Sequence, residues 1–130
     1  MLPLSHINAK FSLEGETYEV EHFDINFSQP TDFRGQPQHE IGGGLITLHL
    51  SQISSNNLYL WAKTSTSRKS GVILFQTDVG MTVLKIEFSN AYCINLLRQI
   101  NSRAGTNTIL HISPEMVKIN GIEHNNFWAK

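Results

Sequence analysis

Six histidines are the side chains of this sequence best suited to binding a metal ion. They are His6, His22, His39, His49, His111 and His124. Zinc motifs place their ligands a few residues apart, and no two of these histidines stand at such a spacing from each other or from a cysteine. The stretch "HEIGGG" at 39–44 carries only half of a zincin motif, because the second histidine is missing. We therefore expect no metal site and no metal cofactor.

Two further features could do chemistry in another context. Three consecutive glycines at 42–44 come before a strand pattern, whereas a phosphate-binding glycine loop follows a strand and carries a Lys-Ser/Thr pair. They are more typical of a close approach between chain segments, or of a flexible entry to a strand. Catalysis by Cys93 would need an activating histidine nearby in space, and its position between Tyr92 and Ile94 is more typical of core packing. The sequence predicts no catalytic residues and no bound cofactor, so we expect a protein that binds itself or others, not an enzyme.

Composition limits the other classes of function. The chain has 130 residues, of which 40% are hydrophobic and only 16% charged, and its formal net charge is -1. A nucleic-acid-binding protein usually carries a basic excess, and here ten Lys and Arg are scattered. No apolar run approaches the length of a membrane span, and the N-terminus lacks the pattern of a secretory signal. One cysteine fits a reducing compartment. We expect one domain, residues 1–130, made in the cytosol, without membrane insertion or nucleic acid as a partner.

Most of the chain is predicted to form β-strands, because apolar and polar residues alternate at period two. Any positions that bind partners must therefore be held by strands. Strands are predicted over 7–13, 18–27, 45–50, 71–77, 81–90, 91–100, 106–113 and 115–119. Turns are predicted at 14–15, 78–80 and 120–121. The apolar set shifts phase at Phe23, which predicts a bulge or a strong bend. The run "GVILFQT" suggests burial on both faces, and Tyr92, Ile94 and Leu96 are expected to share one face.

One segment has helical spacing instead. Leu58, Trp61 and Ala62 stand at i, i+3 and i+4, with Ser55 or Asn56 as a plausible N-cap. So short a helix needs tertiary contacts, and we expect Leu58 and Trp61 to anchor it on the sheet. The predicted fold is mainly β, a small barrel of about eight strands with one short α-helix. We expect bulky side chains to fill it, namely Phe11, Phe75, Phe88 and Trp61.

A long polar segment at about 29–44 interrupts this regular pattern. Most connections in compact domains run to about four to six residues, and longer ones are usually functional or disordered. Phe33 and Ile41 are its only large apolar residues, too few for a core of its own. The interface residues expected here are Asp32, Phe33, Arg34, Gly35, Pro37 and Gly43.

Several stretches, in order along nearly the whole chain, resemble one family. They are "FSLEGETYEV" at 11–20, "DFRGQP" at 32–37, "GGLITL" at 43–48, "LYLW" at 58–61, "GVILF" at 71–75, "IEFSNAYCI" at 86–94 and "HNNFW" at 124–128. The chain is similar to the haemolysin-coregulated proteins, the tube proteins of type VI secretion systems, in the TssD form found in Bacteroidetes.

This resemblance implies a structural function. Such proteins form β-barrels that assemble into hexameric rings, and the rings stack into a tube inside a contractile sheath. The expected partners are further copies of the chain, sheath proteins, baseplate or spike proteins, and effector cargo in the lumen. The tube would be assembled in the bacterial cytoplasm and then secreted through the apparatus. In these proteins the long connection after the second strand reaches the neighbouring ring.

Two alternatives stay open at this stage. The chain could be a tail-tube subunit of a phage-like or extracellular contractile injection system, which strand patterns do not separate from a type VI tube. It could also be a small β-barrel that binds a small ligand. That function requires a hollow interior, and the bulky residues expected inside argue against one.

Overall fold

The structure is a computed structural model that describes residues 7–28, 42–51, 56–102 and 105–126. Its elements in chain order are β1 (Ile7–Leu13), β2 (Glu16–Ser28), β3 (Gly42–Leu50), α1 (Asn56–Lys63), β4 (Lys69–Thr77), β5 (Thr82–Asn101), β6 (Gly105–Ser113), β7 (Met116–Ile119) and β8 (Ile122–Asn125). The prediction of a mainly β fold with eight strands and one short helix is confirmed.

The strands form one antiparallel sheet that closes on itself. Its order is β4-β1-β2-β3-β6-β5-β7-β8, and an additional pairing of β4 with β5 completes the barrel. Six strands therefore make the closed wall, while β7 and β8 extend from the side of β5. β6 and β7 pair with successive parts of β5: β7 pairs with residues 86–89 and β6 with residues 92–101.

Tight turns of the predicted kinds connect neighbouring strands. Glu14 and Gly15 join β1 to β2 with φ values of 48° and 83°, and Asn120 and Gly121 join β7 to β8 with 49° and 86°. Positive φ at both central residues is the geometry that matches the twist of a two-residue hairpin.

The two long strands, β2 and β5, bend at bulges. In β2 the register to β3 shifts between Val20 and His22, where the change of apolar phase at Phe23 predicts it. In β5 the register to β6 shifts between Cys93 and Asn95. Each bulge turns the strand, so that its first part pairs on one side of the barrel and its second part on the other.

Apolar side chains from all the main elements fill the barrel. Phe11, Phe88 and Trp61 are fully buried, and the ring of Phe88 lies 6.0 Å from Phe11 and 6.3 Å from Trp61, centroid to centroid. Phe75 is partly buried and packs edge-on against Phe23 at 5.2 Å. The filled interior leaves no support for the small-ligand barrel.

The structure corrects four details of the sequence interpretation. The strands predicted over 81–90 and 91–100 are one continuous strand, β5, and β8 is a strand that the sequence did not predict. Gly42–Gly44, assigned to the long connection, belong to β3, and Ser28 pairs with Gly42. Ile94 does not share a buried face with Leu96, because the bulge that follows Cys93 turns Ile94 outward. In β4, Ile73 is buried but Val72 and Leu74 are only partly buried, so this strand is not covered on both faces.

Candidate assembly surface

The residues proposed from sequence to contact other subunits fall mostly outside the described part of the chain. This applies to Asp32, Phe33, Arg34, Gly35 and Pro37, and also to the N-cap candidate Ser55. Gly43 is described and lies at the start of β3 with φ of 119°.

The helix packs against the barrel through its apolar stripe. Leu58 and Trp61 are buried, and Trp61 Nε1 donates a hydrogen bond of 3.1 Å to the backbone oxygen of Ala91. Ala91 is the last residue along β5 that pairs with β4. The helix therefore fixes β5 at the point where β4 leaves it. Arg68, just before β4, lies over the ring of Tyr92 at 5.6 Å and adds a cation–π contact at the same junction.

Four strand segments form a part of the wall whose two lateral edges are not covered by any strand that the structure describes. Their order is residues 22–28 of β2, then β3, β6 and residues 92–101 of β5. β1 pairs with β2 only up to Val20, and β4 pairs with β5 only up to Ala91. Within the described ranges, no strand covers the outer edge of either segment. Unpaired edges of this length are ready templates for pairing with another chain.

The outer edge of β5, over residues 92–101, exposes large apolar side chains. Ile94 is 59% exposed and Ile100 is 74% exposed, and Leu97 between them is also exposed. Apolar residues on an exposed edge favour association, since a monomeric protein usually places lysine or proline there. On the opposite lateral edge, Phe27 of β2 is partly exposed as well.

The outward face of these four segments, which we call the bare face, is rich in histidine and poor in charge. The cross-strand register aligns Asp24, Thr47, His111 and Asn95 in one row, and His22, His49, Ile109 and Leu97 in the next. The rings of His22 and His49 lie 4.8 Å apart. His22 Nε2 lies 2.7 Å from Asp24 Oδ2. The only Lys or Arg in these four segments is Arg98, which pairs with Thr108 and so belongs to the opposite face.

The histidines of the bare face do not form a recognisable metal site. Across the described residues, no group of three or more His, Cys, Asp or Glu is placed to hold an ion. No described helix has the length and apolar character needed to cross a membrane. Cys93 is buried, and its burial raises the pKa of the thiol to about 11. Such a thiol is protonated at neutral pH and is a poor nucleophile.

Sequence reasoning missed both lateral edges and the bare face. The only local signal was the change of phase at Phe23, which marks where β2 leaves β1. The bulge in β5 has no comparable signal, because large apolar residues occupy both phases around Ile94. Which strand pairs with which is a long-range property, and no local pattern reports it.

The same architecture occurs in known proteins. A structure of Hcp1 from Flavobacterium johnsoniae has a TM-score of 0.83 to this chain at 23% identity, and the alignment covers 92% of this chain and 99% of that one. The crystal structure of Hcp1 from Salmonella typhimurium gives 0.73 at 12% identity, covering 87% and 85%. The cryo-EM structure of the anti-feeding prophage baseplate gives 0.57 at 13% identity, covering 94% and 97%. Curated protein sequences give no match.

The similarity to these solved structures supports the fold. The match to a sequence family shows which family the chain belongs to. The profile described as haemolysin-coregulated protein Hcp (TssD) matches residues 5–129, which is nearly the whole chain. The alternative of a tube from another contractile machine is therefore not favoured. The chain belongs to the TssD family of haemolysin-coregulated proteins, the tube subunits of type VI secretion systems.

Proposed function

We propose that this subunit closes its ring by pairing the outer edge of β5, over residues 92–101, with the outer edge of β2, over residues 22–28, in the next copy; no described strand covers either edge. The observation that carries the proposal is that both edges flank the same four-stranded part of the wall. Strands in this part alternate in direction, so β5 of one copy and β2 of the next would run antiparallel. Two different edges meet in each contact, and a head-to-tail contact of this kind forms a ring when the rotation between neighbouring copies closes.

The size of such a ring decides which face points inward. Six copies, the number that the resemblance implies, would contribute about 24 strands to one continuous sheet. With about 4.8 Å between strands, its circumference is roughly 115 Å and its diameter about 37 Å before strand tilt is included. The rest of each subunit lies behind the buried face of these strands, and six such bodies do not fit inside that circle. The bare face would therefore line the lumen, where effector cargo travels.

Ring stacking is proposed for the connection between β2 and β3. The chain leaves β2 at Ser28 and re-enters β3 at Gly42, so the connection starts and ends at one end of the strands that would surround the lumen. That end lies at the rim of the ring, where the next ring would sit. We assign stacking contacts to Asp32, Phe33, Arg34, Gly35 and Pro37, with Gly43 at the base.

The remaining partners follow from the family. Sheath proteins would surround the outer surface of the tube, baseplate and spike proteins would meet its end, and effectors would occupy the lumen. Assembly in the cytoplasm would precede secretion. Catalysis forms no part of this function.

The edge-pairing proposal can be tested with a matched pair of double variants. Ile94→Lys with Ile100→Lys places charge on the outer edge of β5, and we expect light scattering to give the mass of one 14.7 kDa chain with an unchanged circular dichroism spectrum. Val79→Lys with Met81→Lys is the control, because these side chains are 86% and 64% exposed but lie at the β4–β5 turn, away from both edges. The control and the parent protein should both give rings of about six times that mass.

Two results would contradict the proposal. If the parent protein is monomeric at micromolar concentration, it does not form the proposed ring. If rings survive Ile94→Lys with Ile100→Lys, the assigned edge of β5 does not form the contact between subunits.

A further inference from the structure

The end of β8 makes polar contacts with the base of the β2–β3 connection. The side-chain amide nitrogen of Asn126, Nδ2, donates to the backbone oxygen of Gly43 at 2.9 Å and to that of Pro114 at 3.0 Å. Asn126 Oδ1 lies 3.0 Å from His124 Nε2. Both hydrogens of the amide are used on carbonyls, so Oδ1 must accept, and His124 Nε2 is the donor. The backbone N–H of Asn126 also donates to the oxygen of Glu115 at 2.8 Å.

His124 reaches the other end of the same connection. Its ring packs edge-on against Phe27 with 5.0 Å between centroids. Phe27 is the residue before the last residue of β2, and Gly43 is the second residue of β3. His124 and Asn126 therefore contact both strands at the point where the connection leaves and returns.

The glycines at the start of β3 make this approach possible. A Cβ on Gly44 would lie 3.0 Å from Val117 Cγ1 and 3.5 Å from the ring of Phe27, and the φ of Gly44 is +73°. The β7–β8 hairpin thus lies close against the backbone of β3 where a side chain would hold it away. This accounts for the glycine run as a close approach between segments.

We propose that His124 and Asn126 are positioning residues that hold together the ends of β2 and β3 between which the connection runs, and that ring stacking depends on them. The proposal rests on the stacking role assigned to that connection under the proposed function. The motif "HNNFW" at 124–128 then has a physical role, since its first and third residues make these contacts. All of the buried core residues except Val117 of β7 come from β1 to β6 and the helix, so we expect the subunit to fold without these contacts.

Asn126→Asp is the sharpest test, because it keeps the shape of the side chain while replacing its two donors by a carboxylate oxygen facing two carbonyls. We expect this variant to form rings of normal mass and normal melting temperature, but to need at least tenfold more protein to form tubes visible by negative-stain electron microscopy. Glu123→Gln is the control on the same strand, since Glu123 is exposed and pairs outward with Lys118. It should form tubes as the parent does.

A second pair separates the hydrogen bond from ring packing. His124→Phe keeps an aromatic ring against Phe27 but removes the Nε2 donor, and we expect it to lose stacking. His124→Gln keeps a donor at a similar position, and we expect it to restore much of the stacking. A residue that only filled space would give the opposite order.

Each result decides the proposal. Normal stacking of Asn126→Asp would overturn it, and so would loss of folding or of rings in both Asn126→Asp and His124→Phe, because the two residues would then support the subunit instead. Arg34→Glu serves as the reference for the underlying assignment. If Arg34→Glu stacks normally, the stacking role of the connection fails. If Arg34→Glu loses stacking and Asn126→Asp does not, only the positioning role fails.

Discussion

Two parts of the barrel wall differ in whether their strands have pairing partners on both sides. β1 and β4 have partners on both sides, and their neighbourhood carries ordinary surface charges such as Lys10, Lys85 and Glu87, the last two 3.7 Å apart. The four-stranded part ends laterally in two segments that no described strand covers, and its bare face carries histidines, amides and hydroxyls. The first part is complete within one chain. We propose that another copy completes the second, which is the property a tube subunit requires.

The residue that joins the two parts should give the largest effect on stability. Trp61 lies at the junction, stacked on Phe88 and hydrogen-bonded to Ala91. We expect Trp61→Ala to lower the free energy of unfolding by about 3–5 kcal/mol, the usual cost of truncating a buried large aromatic residue. Urea unfolding of a single-chain form, such as the Ile94→Lys with Ile100→Lys variant, would measure it without interference from the ring.

Trp61→Phe provides the matched control. It retains an aromatic ring but leaves the carbonyl of Ala91 without this donor, so we expect a smaller loss. Equal unfolding free energies for Trp61→Ala and its parent would show that the helix does not hold the junction.

A smaller loss should follow from overpacking the closed part. A Cβ on Gly71 would lie 2.7 Å from Phe88 Cζ and 3.0 Å from the backbone oxygen of Ser12. We expect Gly71→Ala to cost about 1–3 kcal/mol, because Phe88 must move. Adding Phe88→Leu to Gly71→Ala should cost less than the sum of the two single changes. Strict additivity in urea unfolding would contradict this account of the contact.

The smallest effect concerns Cys93, which belongs to the segment 92–101 of β5 and yet is only 6% exposed. Burial raises its pKa from 9.0 to about 11. The folded state therefore holds the thiol proton more tightly than the unfolded state does, so this contribution to stability is complete below pH 9 and is lost between pH 9 and about 11. We expect Cys93→Ala to flatten that part of the pH dependence of the melting temperature.

Thiol labelling offers a second measurement on the same residue. At pH 8, iodoacetamide should modify the unfolded chain much faster than the folded one. Rapid labelling of the folded protein would show that the core face of this segment is open.

Local features of the sequence were enough to predict most of the elements. The turn at Glu14-Gly15, the bulge before Phe23 and the helix around Trp61 each depend on neighbours in the chain, and so their patterns are visible in the sequence. Ile94 was placed on the wrong face because its bulge leaves the apolar pattern unchanged. The role of Asn126 could not be foreseen, since its partners Gly43 and Pro114 lie 83 and 12 residues away.

The central claim is that one copy completes the four-stranded part of the wall of the next. A cryo-EM reconstruction of the assembled ring, at a resolution that separates strands, tests it most directly. We expect one continuous sheet around the lumen, with residues 92–101 of each copy antiparallel to residues 22–28 of its neighbour and with His22, His49 and His111 facing the axis. A ring in which either edge faces solvent, or in which the bare face points away from the axis, would contradict the account.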